Sequence, residues 1–280
     1  MTIAITCASG QLGRLTIEHL RATAPAARLV ALARSPERAV FAGVETRGFD
    51  YRDAGALAPA LEGVTTLALI SSGDFEGRVR QHLNVIEAAK AAGVRRVVYT
   101  SIVKADDSPL IVAGDHRETE AALRASGLGF TILRNGWYME NWTASLPTAA
   151  AAGAIIGCAG AARVSPATRR DHAEALAAAA SGEGHEGATY ELGGDAFTMA
   201  DLAAELSRRV GKPVPYADLP RAEFEAALAG MGLPAGLVAV IADADAGAAE
   251  GWLLEEGGAL ARLIGRPPTT LSAAVAAALA

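Results

Sequence analysis

Short apolar runs alternate with longer amphipathic stretches through the first half of the chain. Residues 3–6, 29–33, 45–49, 66–70, 96–101 and 129–133 are predicted strands. Several carry β-branched residues at successive positions, as expected where both faces of a strand are covered. Between them, residues 11–21, 38–42, 54–61, 77–92 and 116–125 are predicted helices. In the clearest of these the apolar face is read from Leu83, Ile86 and Ala89, and Gly93 stands where a C-terminal cap belongs. The alternation implies right-handed crossovers and an α/β fold, a Rossmann-type doubly wound parallel sheet.

After Arg134 the rhythm changes. Trp137, Tyr138 and Trp142 fall close together, and an alanine-rich helix and a glycine-rich turn follow. Residues 171–180 are predicted as a helix with an acidic N-cap, and 188–192 as one more strand. Thr198, with Asp201 three positions on, opens another helix. The rest is predicted to be mainly helical, interrupted at Pro213, Pro215, Pro220, Pro267 and Pro268. The expected organisation is a nucleotide-binding lobe (1–135) and a smaller, mainly helical covering lobe (136–280). About 163–194 of the second segment is expected to return to the first lobe.

Charge and cysteine content narrow the function. The 280 residues carry 25 basic and 31 acidic side chains, a net charge of −6. That balance repels nucleic acid and anionic membrane surfaces, so neither is an expected partner. Cys7 and Cys158 are the two cysteines, too few for a disulfide framework and without a Cys/His cluster for a metal. The N-terminus enters a strand without a basic region or cleavage site. The longest uncharged stretch, 141–162, is broken by Pro147, Gly153 and Gly157. The expectation is a cytoplasmic protein.

The chemistry begins at Cys7-Ala8-Ser9-Gly10-Gln11-Leu12-Gly13, between the first strand and the first helix. A glycine-containing turn there lets backbone N–H groups meet a pyrophosphate at the helix N-terminus, with Gly13 allowing close helix–sheet packing. A three-glycine pattern would begin where Cys7 stands, and its Cβ is expected to crowd the turn or the ribose. At the tip of the second strand an NAD site usually presents a carboxylate. This chain has Ala33-Arg34-Ser35 instead, so the expected cofactor is NADP(H), with Arg34 on the 2′-phosphate. Asp50 is placed to accept a bond from adenine, or else caps a turn. Ser71 and Ser72 end the fourth strand on the same side.

The turn at 6–13, Arg34, Tyr99-Thr100-Ser101, residues 120–134 and Asn135-Gly136-Trp137-Tyr138-Met139-Glu140-Asn141 together resemble the NmrA-like atypical short-chain dehydrogenases. Within that group the pattern looks most like the bacterial type 2 NAD(P)H:quinone oxidoreductases, with triphenylmethane dye reductases beside them. The resemblance implies NADPH as donor and two-electron reduction of a quinone or similar planar acceptor. Residues 7–13, Arg34, Asp50, Ser71, Ser72, Ser101, Asn135 and Gly136 are then expected on the cofactor. Phe75, Trp137, Tyr138 and Arg169 are expected on the substrate, although aromatics of this kind also fill cores and Arg169 forms a solvated pair with Arg170. Cys7 departs from the glycine of these relatives.

The Tyr-x-x-x-Lys pair of most short-chain dehydrogenases is absent: Val112 and His116 occupy its places. Alcohol or epimerase chemistry, which needs a strong proton shuttle, is thereby disfavoured. A quinone asks for less, because its reduced oxygen is a weak base and water can protonate it. His116 and Asn135 are the candidate catalytic residues, His116 to orient the nicotinamide ribose or donate a proton and Asn135 to bond a quinone oxygen or the carboxamide. Two other outcomes fit the residues: a redox-sensing regulator that binds NADP(H) without turnover, and a reductase of another conjugated acceptor such as a triphenylmethane dye. An exposed helical face in the C-terminal region leaves room for a homodimer.

Overall fold

The computed structural model describes residues 1–280. The chain opens with β1 (Thr2–Ile5), α1 (Gln11–Thr23), β2 (Arg28–Ala33), β3 (Glu45–Gly48), α2 (Ala54–Ala60), β4 (Thr66–Leu69), α3 (Arg78–Ala91), β5 (Arg96–Ile102), α4 (Ile111–Ala125) and β6 (Gly129–Asn135). It continues through α5 (Glu140–Thr143), α6 (Leu146–Ala152), β7 (Ile155–Gly157), β8 (Arg163–Val164), α7 (Arg169–Ser181), β9 (Thr189–Leu192), β10 (Phe197–Thr198) and α8 (Met199–Val210). The last elements are β11 (Tyr216–Asp218), α9 (Arg221–Gly230), α10 (Ala235–Ala249), α11 (Ala259–Ile264) and α12 (Leu271–Ala278).

Seven strands pair in the order β3-β2-β1-β4-β5-β6-β9, every pair parallel. Such a sheet hides both faces, which is why its central strands are buried along almost their whole length and largely apolar. Ile17, Leu20 and the small side chains of α7 cover one face; Leu57, Val85, Ile86 and Leu123 cover the other. The strand order reverses between β1 and β4, and a crevice opens there at their carboxyl ends. A third core, around Leu146, Val164, Leu202, Leu206 and Val275, belongs to the C-terminal elements. No helix is long and apolar enough to cross a membrane.

Local chemistry explains where the expectations shift. The helix expected at 38–42 is a single 3-10 turn, Pro36–Arg38, after which Gly43 turns the chain into β3 with φ +75°. Helix α4 starts at Ile111, five residues early, because the Ile111 N–H is received by the distant Asp243 carboxylate at 2.8 Å rather than by a local cap. Helix α7 starts at Arg169: its N-cap is Thr168, and Asp171 is the third helical residue of a capping box. Thr198 and Asp201 form a second such box on α8. On α3 the inward face carries His82, Val85, Ile86 and Ala89, and Leu83 is exposed. The two-stranded pairs β7–β11 and β8–β10 have only two or three residues per strand, too short for a period to register.

Candidate active site

The turn after β1 is built by backbone bonds. Ala8 N–H donates to Leu32 O at 3.0 Å and Gly10 N–H to Cys7 O at 2.8 Å, which bends the chain into α1. A side chain at Gly13 would collide with Cys7 O and lie 2.9 Å from Ala8 Cα, so glycine is required for this approach. The first turn of α1 holds no acidic residue and its N-cap Gly10 supplies no side-chain acceptor, leaving N–H donors for an anion. Cys7 adopts φ +49°, the left-handed region that favours glycine. Its thiol is turned inward, 3.5 Å from Tyr51 Oη and 3.8 Å from Ile70 O, and burial raises its pKa. The thiol thus joins a network with Thr6 and Tyr51, while Cys7 itself still lines the cleft beside the turn.

Beside the turn lies a cleft of about 530 Å³ whose lining includes Ser9, Arg34, Ser35, Arg38, Asp50 and Arg52. Arg52 grips Asp50 through two bonds, 2.7 and 3.0 Å, which lowers the Asp50 pKa and occupies both carboxylate oxygens. Arg34 and Arg38 have no carboxylate partner and are exposed. Two free guanidinium groups beside an anion-accepting turn suit a phosphate. Arg38 and Arg52 escaped the sequence reading, Arg38 because it was assigned to a helix and Arg52 because a surface arginine next to an aspartate carries no distinctive pattern.

Across the crevice, the Ser71 N–H bonds Thr100 Oγ1 at 2.9 Å and the Ser72 N–H bonds His82 Nε2 at 3.0 Å. Phe75 is exposed in the following loop, its ring 4.7 Å from the buried Arg78 guanidinium. His116, on α4, is buried with its Nδ1 2.7 Å from the Tyr99 hydroxyl. Ser101 is placed differently from expectation. Its hydroxyl donates to Glu120 Oε1 at 2.5 Å within a buried ion network, so it is committed to protein rather than free for the cofactor. Strand alternation is the reason: Tyr99 and Ser101 share the face that looks at α4.

At the end of β6, Asn135 is buried and its Oδ1 has no partner. A buried carbonyl without a donor is costly, so a bound amide would relieve it. Gly136 is pressed against Leu192 O, where an added Cβ would sit at 2.8 Å. Trp137 packs with the C-terminal core, whereas Tyr138 packs with the large-lobe core. The Arg169 guanidinium lies 4.6 Å over the Tyr138 ring and 3.4 Å from Glu140, so stacking and an ion pair both hold it. Trp142 donates to Asp245 Oδ1 at 3.3 Å and belongs to the same C-terminal core as Trp137.

Three buried imidazoles give the protein a pH signature. Burial, reinforced by Arg78, lowers His82 to about 3 and holds His116 well below its ordinary value. Burial lowers His172 to about 4, with Asp171 opposing. The unfolded chain therefore binds more protons between about pH 6.5 and 4, so this stability is full above 6.5 and lost as pH falls, about 1.4 kcal/mol per group per unit. Urea unfolding from pH 7 to 5 is expected to show that decline. His172→Phe should make the decline shallower by one group's share, and an unaltered slope would contradict it.

A parallel sheet with this turn at its point of reversal defines a dinucleotide-binding protein. The family model described as NAD(P)H-binding matches residues 7–182, and the chain belongs to that family. Quinone oxidoreductase 2 of Escherichia coli (strain K12) is 50% identical over 98% of this chain and 97% of that protein. The crystal structure of the E. coli NADPH-dependent quinone oxidoreductase QOR2 complexed with NADPH matches with a TM-score of 0.96 and 49% identity, covering 99% of this chain and 100% of the other. Triphenylmethane reductase of Citrobacter sp. matches with a TM-score of 0.95 and 34% identity, covering 100% of this chain and 99% of the other. These findings bear out the NmrA-like resemblance, the Rossmann-type fold and the nicotinamide cofactor.

Proposed function

We propose that this protein is an NADPH-dependent oxidoreductase that reduces quinones by two electrons. The observation that carries this reading is the full-length match, in sequence and in fold, to E. coli quinone oxidoreductase 2. The chain's own residues agree with it. The glycine turn leaves donors for a pyrophosphate, Arg34 and Arg38 are free for a 2′-phosphate, and the unpartnered Asn135 Oδ1 offers an acceptor to an amide. These features fit NADPH, which when bound supplies the hydride.

Residues 7–13, Arg34, Asp50, Ser71, Ser72, Asn135 and Gly136 would hold the cofactor, Asp50 in company with Arg52. Phe75, Trp137, Tyr138 and Arg169 would border the acceptor. The chain orients the acceptor, while the product oxygen, a weak base, draws its proton from solvent. Purified protein given NADPH and a panel of small quinones is expected to oxidise the coenzyme above the enzyme-free background. Binding of NADPH without oxidation by any acceptor would instead favour the regulator. Preferential turnover of a cationic dye would favour the acceptor class of the Citrobacter relative.

A further inference from the structure

His116 and its neighbours form a chain of hydrogen bonds whose short contacts fix where the protons lie. The Ser72 N–H donates to His82 Nε2 at 3.0 Å, so that nitrogen carries a lone pair. His82 is neutral, with its pKa at about 3, and its single proton therefore sits on Nδ1. Thr119 Oγ1 is 3.0 Å from that Nδ1 and gives its own hydrogen to Asp115 O at 2.8 Å, so it accepts from His82. The Tyr99 hydroxyl, 3.4 Å from the protonated Nδ1, cannot donate there and donates instead to His116 Nδ1 at 2.7 Å. The proton of neutral His116 is thus on Nε2. That atom has no protein partner, yet the buried unpartnered side-chain atoms are confined to Arg78, Asn135 and His172. His116 Nε2 consequently remains open to solvent.

We propose that His116 is a fixed hydrogen-bond donor, presenting Nε2–H to the oxygen of the bound acceptor on which negative charge develops, and that Tyr99, His82 and the Ser72 amide are the positioning groups that hold it in that tautomer. The proposal rests on the quinone-reductase reading. Hydride transfer to the acceptor leaves an oxyanion, which Nε2–H stabilises without losing its own proton; water supplies the proton that completes the hydroquinone. A donor whose orientation is fixed beforehand needs no reorganisation at the moment of reaction. Around the ring stand Arg78 and His82 of α3 and Tyr99 of β5. Asp115 and Glu120 of α4 flank it along its own helix, and Asp243 of α10 lies at that helix's start. None of these supplies His116 with a carboxylate partner that would favour its cationic form.

Nitrogen-15 NMR of imidazole-labelled protein at pH 7, assigned with His116→Ala, reads the tautomer directly and does not depend on turnover. Expected is a protonated Nε2 and an unprotonated Nδ1 in the native protein, with mixed tautomers in Tyr99→Phe. A protonated Nδ1, or an imidazolium, would overturn the proposal. In quinone assays His116→Ala is expected to lower kcat by about 100-fold, with the Kd for NADPH little changed. His116→Gln, whose amide N–H lies near the position of Nε2, should keep kcat within about tenfold of the native value, whereas His116→Asn should not. Equal losses in the Gln and Asn variants would also overturn it, as would an unchanged kcat in His116→Ala. Native protein that shows the expected tautomer but reduces no quinone would remove the functional reading and leave the hydrogen-bond chain standing.

Discussion

Arg34→Ala is expected to weaken NADPH binding by about 10- to 100-fold while NADH affinity stays within about threefold. Hydrogen bonds to charged groups contribute about 1.5–3 kcal/mol, which sets that range. The reason for the asymmetry is geometric. Arg34 directly follows β2, the strand next to the turn, where it lines the cleft without a carboxylate partner, and the 2′-phosphate is the feature that separates the two coenzymes. Arg38 remains in the same cleft and keeps the loss toward the lower end. Because both groups are exposed, added salt should shrink the difference. Calorimetric titration with each coenzyme measures it, and equal losses for the two would remove Arg34 from the 2′-phosphate.

Glu120→Ala should cost about 3 kcal/mol of unfolding free energy, near the lower end for breaking a buried pair. Glu120 is 1% exposed and takes Arg134 through two bonds, at 2.7 and 3.0 Å. Ser101 and Arg124 bond the same carboxylate. Arg134 also reaches Glu191 at 2.9 Å and Asp106 at 2.7 Å, so the network ties β5, β6, β9 and α4 together at the crevice end of the sheet. Those two carboxylates remain for Arg134 in the variant and limit the loss. The double variant Glu120→Leu with Arg134→Leu is expected to recover part of it, since apolar residues of similar volume carry no desolvation penalty. Urea melts of the single and double variants test this; a single variant as stable as the native protein would refute the estimate.

The parallel sheet was legible because strands covered on both faces carry near-continuous apolar runs, and residues 67–70 and 97–99 show that signature locally. The turn at Gly10 and Gly13 and the missing acid after β2 were legible for the same reason: each is a requirement on a single residue at a known place in a strand–turn–helix unit. The two-residue strands β8 and β10 were not, because a period cannot show in two positions. Ser101 was misread because a hydroxyl at a strand tip serves a ligand or a carboxylate equally well, and Glu120 lies nineteen positions away in sequence.

The order of apolar and polar residues along the chain therefore determined the layered fold, the turn and the preference for a phosphorylated coenzyme, all of which follow from backbone geometry and neighbouring side chains. Tertiary packing alone decided the inward thiol of Cys7, the Glu120–Arg134 network and the tautomer of His116. Each of these depends on partners brought together from separate strands and helices, and the energy of a buried polar group is set by those partners and by the exclusion of water.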